Sequence, residues 1–412
     1  MSKFKRNHYV PQWYQRRFIP EYVKEEKFYY LDMKPEKRVS NGKVYFRSDL
    51  LRWGPAKCFY ETDLYTTKFD RWESTEIEQE FFGKVDSSGL PAVEYFSNFV
   101  HPSVNSDALH ALLPYMSIQK LRTPKGLGFL ASQLRSNSKN EVLYKMQELQ
   151  EIYCATWTEC IWSIVDASQS GTKFLLSDHP VTVYNKGCFP GSAWCKGYND
   201  PDIRLSGTHT IFPLCLDKAL ILTNLSWLRN PHKNPLKPRP NPNFFRAAMF
   251  NFTEIQTRRF LSELEVIKIN YIIKMRALRY VAAVSKEWLY PEYKANFGLW
   301  NKLGDEYLLM PDPRSSTFSS EIVVGYGNGK ADAFDEYGRK PWHSDYKEKK
   351  RYRSEWESFL AFQGEYARKF GPKRKGVAFK FNRLDNLEDS PEYHKYHLNL
   401  ENRKKSKWRK KR

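Results

Sequence analysis

A histidine set among amide and guanidinium side chains lies near the start of the chain. Residues 5–18 read Lys-Arg-Asn-His-Tyr-Val-Pro-Gln-Trp-Tyr-Gln-Arg-Arg-Phe, which places His8 and Gln12 within a frame of four aromatic residues. A histidine titrates near neutral pH and can act as a base, an acid or a metal ligand. Because burial of the rings would draw the polar groups into a semi-enclosed place, we predict His8 as catalytic and Gln12 as substrate-binding. A structural hydrogen bond is the alternative explanation for His8.

A carboxylate and an amide–guanidinium pair complete the predicted polar site. Asp178 follows a predicted strand, where functional carboxylates often lie, although Ser-Asp-His-Pro at 177–180 is also a common turn sequence. Gln119 and Arg122 are three residues apart on a predicted helix, so they share a face suited to phosphate or carboxylate. We predict Asp178 as catalytic and the pair as substrate-binding. The arginine could instead only neutralise a nearby carboxylate.

Two glutamates could extend this site to a divalent metal. Residues 72–82 predict the first turns of a helix, with Glu76 and Glu80 four residues apart on one face. Together with Asp178 they predict a site for Mg²⁺ or Mn²⁺, which prefer carboxylate oxygens. Solvation of an exposed helical turn is the alternative, and metal-free acid–base catalysis by His8 is equally compatible with the sequence.

A strongly basic C-terminus indicates a polyanionic partner. Residues 341–412 contain 21 lysines and arginines against 10 aspartates and glutamates, so this short part carries over half of the formal charge of +20. Basic residues with aromatic neighbours neutralise phosphates and stack on bases, which predicts nucleic acid, RNA or DNA, as the partner. A merely solubilising tail is the alternative. The predicted nucleic-acid-binding residues are Lys373, Arg374, Lys375, Lys404, Lys405, Lys407, Trp408, Arg409, Lys410 and Lys411.

The sequence lacks the motifs that identify several common classes of protein. The chain has no P-loop, no Gly-x-Gly-x-x-Gly and no Gly-x-Ser-x-Gly motif. It has no run of about 18 apolar residues that would predict a membrane-spanning helix. No apolar stretch follows the charged N-terminus, so we expect a cytoplasmic protein. The six cysteines form no Cys-x-x-Cys pair, and we interpret them as small apolar residues.

The elements that must position these residues indicate an α+β fold. Hydrophobic residues recur with period two in short segments between residues 160 and 224, which predicts a central antiparallel sheet. Helical patterns flank it on both sides, including a long one over 244–284. We expect the family-like motifs in a core domain at 1–289. Residues 290–412 form the predicted basic, partly irregular C-terminal extension, with one helix over 349–370.

Several of these landmarks occur in the order of a known family. They are Asn-His-Tyr-Val-Pro-Gln at 7–12, Gln-x-x-Arg-Thr-Pro at 119–124, Ser-Asp-His-Pro-Val at 177–181, Phe-Pro-Leu at 212–214, and Asn251 ahead of an Arg-Arg-Phe helix. Over roughly residues 5–285 the chain resembles a widespread, mainly bacterial domain-of-unknown-function family that opens with a His-Tyr-Val-Pro signature. The resemblance implies a set of positions rather than a known activity, and it adds Asn251 to the substrate-binding residues. The family usually has asparagine where this chain has His179.

Three hypotheses of function follow. The first is a nucleic-acid-directed enzyme, a metal-assisted phosphodiesterase in which His8 faces Asp178 across a shared cleft and the basic tail captures the polymer. The second is a nucleic-acid- or ribosome-binding protein in which the same polar residues are structural. The third is a hydrolase of a small anionic metabolite.

Overall fold

The computed structural model describes most of the chain outside the C-terminal tail. The described residues are 6–40, 43–65, 67–69, 72–74, 81–99, 105–136, 138–239, 255–296, 298–318, 322–335, 337–344, 346, 348–371, 373–374, 388–389, 395, 399 and 403. Their α-helices are α1 Gln12–Arg16, α2 Gly83–Ser97, α3 Ser106–Leu121, α4 Pro124–Leu134, α5 Lys139–Thr158, α6 Leu225–Arg229, α7 Glu263–Arg276, α8 Pro291–Lys294 and α9 Lys349–Phe370.

The strands fall into two larger sheets and several two-stranded ones. In chain order they are β1 Arg6–His8, β2 Phe28–Asp32, β3 Lys37–Ser40, β4 Lys43–Phe46, β5 Leu50–Trp53, β6 Tyr60–Thr62, β7 Thr67–Phe69, β8 Trp72–Ser74, β9 Ile161–Asp166, β10 Leu176–Ser177, β11 Thr182–Asn185, β12 Thr208–Pro213, β13 Lys218–Thr223, β14 Gln256–Phe260, β15 Tyr280–Ala283, β16 Ile322–Gly325, β17 Ala331–Phe334, β18 Lys373–Arg374 and β19 Glu388–Asp389. Helices and sheets are both substantial, so the fold is α+β, as the sequence predicts.

The larger sheet has five strands in the order β11-β12-β13-β9-β14. The first three pairings are antiparallel, and β14 adds a parallel edge strand beside β9. β11 and β12 are buried along their whole length, and β9 and β13 are buried except at one end. Their β-branched and aromatic residues suit a sheet that is covered on both faces. The predicted antiparallel sheet within 160–224 is therefore present, with one further strand from outside that range, whereas β10 from within the range belongs to the second sheet.

The second sheet joins the N-terminal region to distant parts of the chain. Its order is β10-β15-β2-β5, and all of its pairings are antiparallel. The opening segment also contacts the first sheet, because the ring of Tyr14 stacks on Phe212 at 5.5 Å between centroids. The Tyr14 hydroxyl donates to the carbonyl oxygen of Pro213. The aromatic residues of the N-terminal motif thus fix it against the core.

Two stretches for which the sequence predicts a helix contain strands instead. Trp72–Ser74 pairs with Thr67–Phe69 as a hairpin, and residues 75–80 lie outside the described part of the chain. In the predicted helix over 244–284, Gln256–Phe260 is strand β14, and α7 begins only at Glu263 after a capping box formed by Ser262 and Glu265. Pairing with the open edge of β9 outweighs the local helical preference of these residues.

Helix α9, which follows residue 290, packs against the rest of the molecule. Helix α9 has the predicted bounds, and its buried Phe359 and Phe362 join an apolar cluster with Trp227 and Leu228. The exposed fraction of Phe362 is 0%. Among the described residues, no helix is long and apolar enough to span a membrane.

Candidate functional site

The C-terminal turn of α3 directs polar side chains toward two separate cavities. Gln119 and Arg122 face the N-terminal motif, whereas Lys120 and Thr123 face the segment that contains His179. Helix α3 ends here because Thr123 caps the next helix, accepting a hydrogen bond from Gly126 N, and Pro124 occupies the first turn of α4. The C-terminal end of α3 therefore contributes side chains to two different cavities, one on each side of the helix.

The first cavity, which we name the arginine cleft, has a volume of about 500 Å³. It is lined by Arg6, His8, Pro11, Gln12, Trp13, Arg16, Tyr65, Phe82, Gly83, Asp86 and Arg122. Three of the predicted site residues, His8, Gln12 and Arg122, thus share one cleft. The His8 ring lies 5.7 Å from the ring of Tyr60 on the paired strand β6.

The buried groups beneath this cleft are bonded to one another. Arg122 Nε donates to Gln119 Oε1 at 2.9 Å, and Arg122 Nη1 donates to Asp86 Oδ2 at 3.0 Å. Gln119 Nε2 donates to the carbonyl oxygen of Tyr9 at 2.9 Å. Arg122 and Gln119 therefore hold the N-terminal motif on α3, and Asp86 neutralises the guanidinium.

Asp178 bonds to the backbone of another element. Its carboxylate accepts hydrogen bonds from the amides of Leu278, Arg279 and Tyr280 at 2.9, 2.7 and 2.8 Å. Burial raises the pKa of Asp178, and the three amides offset part of that effect. Asp178 is absent from the described residues that line either cavity. In this structure it fixes the start of β15 beside β10.

The remaining predicted site residues lie in other parts of the chain. Lys373 and Arg374 form β18, which pairs with β19. Glu76, Glu80, Asn251, Lys375, Lys404, Lys405, Lys407, Trp408, Arg409, Lys410 and Lys411 lie outside the described residues. Within the described part of the chain, no cluster of three or more His, Cys, Asp or Glu side chains could hold a metal ion.

The second cavity, which we name the lysine pocket, is half enclosed and has a volume of about 260 Å³. Its lining combines charged groups with aromatic and aliphatic walls. The described lining residues are Lys120, Leu121, Lys125, Gly126, Phe129, Gln133, Leu149, Ile152, Tyr153, His179, Tyr198, Asp200, Pro201, Asp202, Ile203 and Arg204. Helices α3, α4 and α5 form one side, and the loops after β10 and β11 form the other.

One carboxylate connects the charged groups of the lysine pocket. Asp200 Oδ2 accepts from Lys120 Nζ at 2.7 Å, and Asp200 Oδ1 accepts from Lys125 Nζ at 2.6 Å. His179 Nε2 lies 2.9 Å from Asp200 Oδ2 and 3.1 Å from Lys120 Nζ. The other ring nitrogen, Nδ1, lies 2.9 Å from the hydroxyl of Thr123. Two ammonium groups, an imidazole and a carboxylate therefore meet at the edge of one cavity.

Burial and the neighbouring charges together set the protonation of this cluster. Burial lowers the pKa of Lys120, and the charges of Lys125 and Arg276 act in the same direction, against Asp200. Burial and the Lys120 charge lower the pKa of His179 to about 3, so its imidazole is neutral at pH 7. Burial alone would raise the pKa of Asp200, but the two lysines hold it well below its usual range. Perturbed groups that line a concave site are typical of functional sites.

One feature of the sequence points to this pocket, a lysine with apolar neighbours on a helix, although motif spacing does not detect it. Lys120 lies between Ile118 and Leu121 on a helix whose last turns are buried throughout. A lysine in such a place needs a partner, and Lys125 follows just after the break between the helices. Asp200, which binds both, lies in a glycine- and asparagine-containing loop whose path no local pattern predicts.

Comparison with known proteins identifies the family of the chain. The family model described as "Protein of unknown function (DUF4238)" matches residues 6–287, a range that contains both cavities. The search of curated proteins and the search of solved structures each found no match. Because the family model matches more than half of the chain, the chain belongs to the DUF4238 family of proteins of unknown function.

Proposed function

We propose that the lysine pocket binds a small anionic molecule and that the protein acts on it as an enzyme. The observation that carries this proposal is the sharing of one carboxylate, Asp200, by Lys120 and Lys125 at the edge of a half-enclosed cavity. It shares the ligand class with the third sequence-based hypothesis, a hydrolase of a small anionic metabolite, and assigns the site to this pocket.

Charge and desolvation favour an anionic ligand. The lining has three basic side chains, Lys120, Lys125 and Arg204, against two acidic ones, Asp200 and Asp202, and its histidine is neutral. The two lysines are nearly inaccessible to solvent, so each has lost most of its hydration. A carboxylate or phosphate in the cavity would compensate the excess positive charge where the dielectric screening is weak.

The size and walls of the pocket favour a metabolite with an apolar or flat part. A cavity of about 260 Å³ accommodates a small molecule or a single terminal nucleotide rather than a length of polymer. Phe129, Tyr153 and Tyr198 present rings along its wall. Burial raises the pKa of Tyr153, so its phenol is uncharged and adds no negative charge opposite the lysines.

Solution binding tests this proposal with defined probes. We expect inorganic phosphate, pyruvate and AMP to raise the thermal unfolding temperature, and uncharged adenosine to leave it unchanged. Lys120→Met should weaken the binding of AMP roughly tenfold or more, measured by calorimetry. The matched control is Lys145→Met, which removes a partly exposed lysine paired with Glu148. Equal binding by the wild type and the Lys120→Met variant would refute the proposal.

A second candidate function is the binding of nucleic acid through the C-terminal tail. The charge distribution supports it, since 21 basic against 10 acidic residues follow position 340. Nucleic acid could then deliver an anionic end to the lysine pocket, or the tail could act alone. The metal-assisted phosphodiesterase is the enzymatic form of this candidate, and cleavage of RNA or DNA in Mg²⁺ or Mn²⁺ is its assay.

A further inference from the structure

We propose that Lys120 is the nucleophile of the lysine pocket and forms an imine with an aldehyde or ketone that also carries a carboxylate or phosphate group. This inference rests on the proposed function, because it assigns a substrate class and a reaction to the same pocket. It is carried by the identity of the lining groups and by the distances around the Lys120 amine.

Amines are the strongest nucleophiles that line the pocket. The described lining residues include no serine, threonine or cysteine. The carboxylate of Asp202 binds Arg204 through two nitrogens at 3.0 and 2.6 Å, and that of Asp200 binds both lysines. Imine formation with a carbonyl compound is the covalent chemistry that a desolvated lysine performs.

The two lysines have different surroundings. Lys125 Nζ lies between Asp200 Oδ1 at 2.6 Å and the carbonyl oxygen of Arg276 at 2.7 Å. Lys120 Nζ contacts Asp200 Oδ2, the carbonyl oxygen of Val181 at 3.3 Å and the neutral His179 ring. Burial and the neighbouring cations lower the pKa of Lys120, which increases its fraction of free amine. Lys120, the lysine beside His179, therefore attacks, and Lys125 binds the acidic group of the substrate.

The reaction converts an ammonium and a carbonyl into an iminium and water. Lys120 Nζ first releases one proton to solvent at the open side of the half-enclosed pocket. The nitrogen lone pair forms the N–C bond while the carbonyl π electrons move to oxygen, and a second proton moves from nitrogen to that oxygen. A proton from solvent then adds to the hydroxyl group, which replaces the proton released at the start. Water leaves as the nitrogen electron pair forms the C=N bond, so atoms and charge balance.

Reductive trapping on the full-length wild-type protein tests this inference. The probes are pyridoxal 5′-phosphate and the smaller glyoxylate, each added at a substoichiometric level with cyanoborohydride, which reduces the iminium to a stable secondary amine. Peptide mapping by mass spectrometry then compares Lys120 with the exposed Lys57 and Lys330. We expect Lys120 to carry roughly tenfold more label than either, because the pocket holds the anionic probe beside its amine.

Variants and competition separate this inference from the proposed function. Lys120→Arg keeps the charge and should abolish pocket labelling, whereas Lys125→Arg should retain label on Lys120. Label confined to exposed lysines, or found on Lys125 with Lys120 unmodified, overturns the inference. If phosphate and AMP still bind in that case, the anion pocket stands without amine chemistry. If they fail to bind as well, the proposed function also falls.

Discussion

At the scale of single residues, Asp200 holds the lysine pocket together. It is the shared partner of Lys120, Lys125 and His179, and its side chain is 10% exposed. Removing one partner of a buried ion pair is costly because the other charge stays buried without compensation. Here a single change would leave two ammonium groups in that state.

We therefore expect Asp200→Asn to lower the free energy of unfolding by about 3–5 kcal/mol, measured by urea denaturation. The control is Asp202→Asn, whose partner Arg204 is 63% exposed. An ion pair of that kind contributes less than about 1 kcal/mol. Similar decreases in the two variants would contradict the role of Asp200.

Because His179 and His209 are buried and neutral in the native state, we expect the free energy of unfolding to fall in mild acid. Burial lowers the pKa of both His179 and His209 to about 3, against about 6.5 in the unfolded chain. Between these values the unfolded state binds a proton on each ring and the native state does not. Stability therefore decreases as the pH falls below 6.5, by up to about 1.4 kcal/mol per pH unit for each histidine.

Substitution isolates the contribution of each ring. His179→Asn should reduce the slope of unfolding free energy against pH by about 1.4 kcal/mol per unit between pH 6.5 and 4.5, measured by urea denaturation. His209→Asn should do the same from outside the pocket, and the double variant should show the sum. Asp200 is largely ionised in both states across this window, so its contribution to the slope is small. An unchanged slope in His179→Asn would mean that this ring is protonated in the native state.

At the scale of elements, Asp178 joins the turn after α7 to the second sheet. Its carboxylate is the acceptor for three consecutive amides at residues 278–280. Each buried donor left without a partner costs about 1–3 kcal/mol. We expect Asp178→Ala to lower the free energy of unfolding by about 3 kcal/mol or more and to leave AMP binding by the folded fraction intact. Normal stability with abolished binding would instead favour a direct functional role.

The sequence predicts elements well where local pattern and tertiary environment agree. Helix α9 has its predicted bounds, and β9, β12 and β13 follow the period-two signal between 160 and 224. β14 escapes prediction because its strand state depends on the free edge of β9, which the local sequence does not contain.

The polar sites show the same limit. Helical spacing correctly pairs Gln119 with Arg122, and the N-terminal motif does bring His8 and Gln12 to the cleft lined by Arg122. The lysine pocket depends on a contact between Asp200, which lies in a loop, and Lys120, which lies at a helix end 80 positions away. That interaction is long-range and has no periodicity, so residue spacing cannot indicate it.

At the scale of the whole molecule, the packing of α9 predicts the outcome of two truncations. Phe359 and Phe362 cover Trp227 and Leu228, and the buried Glu355 pairs with Arg229 at 3.4 Å. A chain that ends at residue 289 should lose cooperative thermal unfolding, because it exposes the apolar side chains of this cluster to water and removes Glu355, the partner of Arg229. A chain that ends at residue 374 should unfold within about 1 kcal/mol of the full-length protein. Equal stability of the two would support an independent core at 1–289.

The chain that ends at residue 374 also tests nucleic-acid binding. We expect the full chain to bind a fluorescent single-stranded RNA or a duplex DNA with steep salt dependence, measured by anisotropy. Ending the chain at residue 374 should reduce the logarithmic salt slope by about 0.9 for each duplex phosphate that the tail neutralises. An unchanged slope would show that the tail does not bind the polymer.

The most direct test of the central proposal is to locate a bound anion. Crystals of the full-length protein soaked in selenate would show the anion by its anomalous scattering. We expect a peak in the lysine pocket within hydrogen-bonding distance of Lys120 and Lys125, and no such peak in crystals of the Lys120→Met variant. Selenate found only in the arginine cleft or on the outer surface, with the lysine pocket unoccupied, would contradict the proposal.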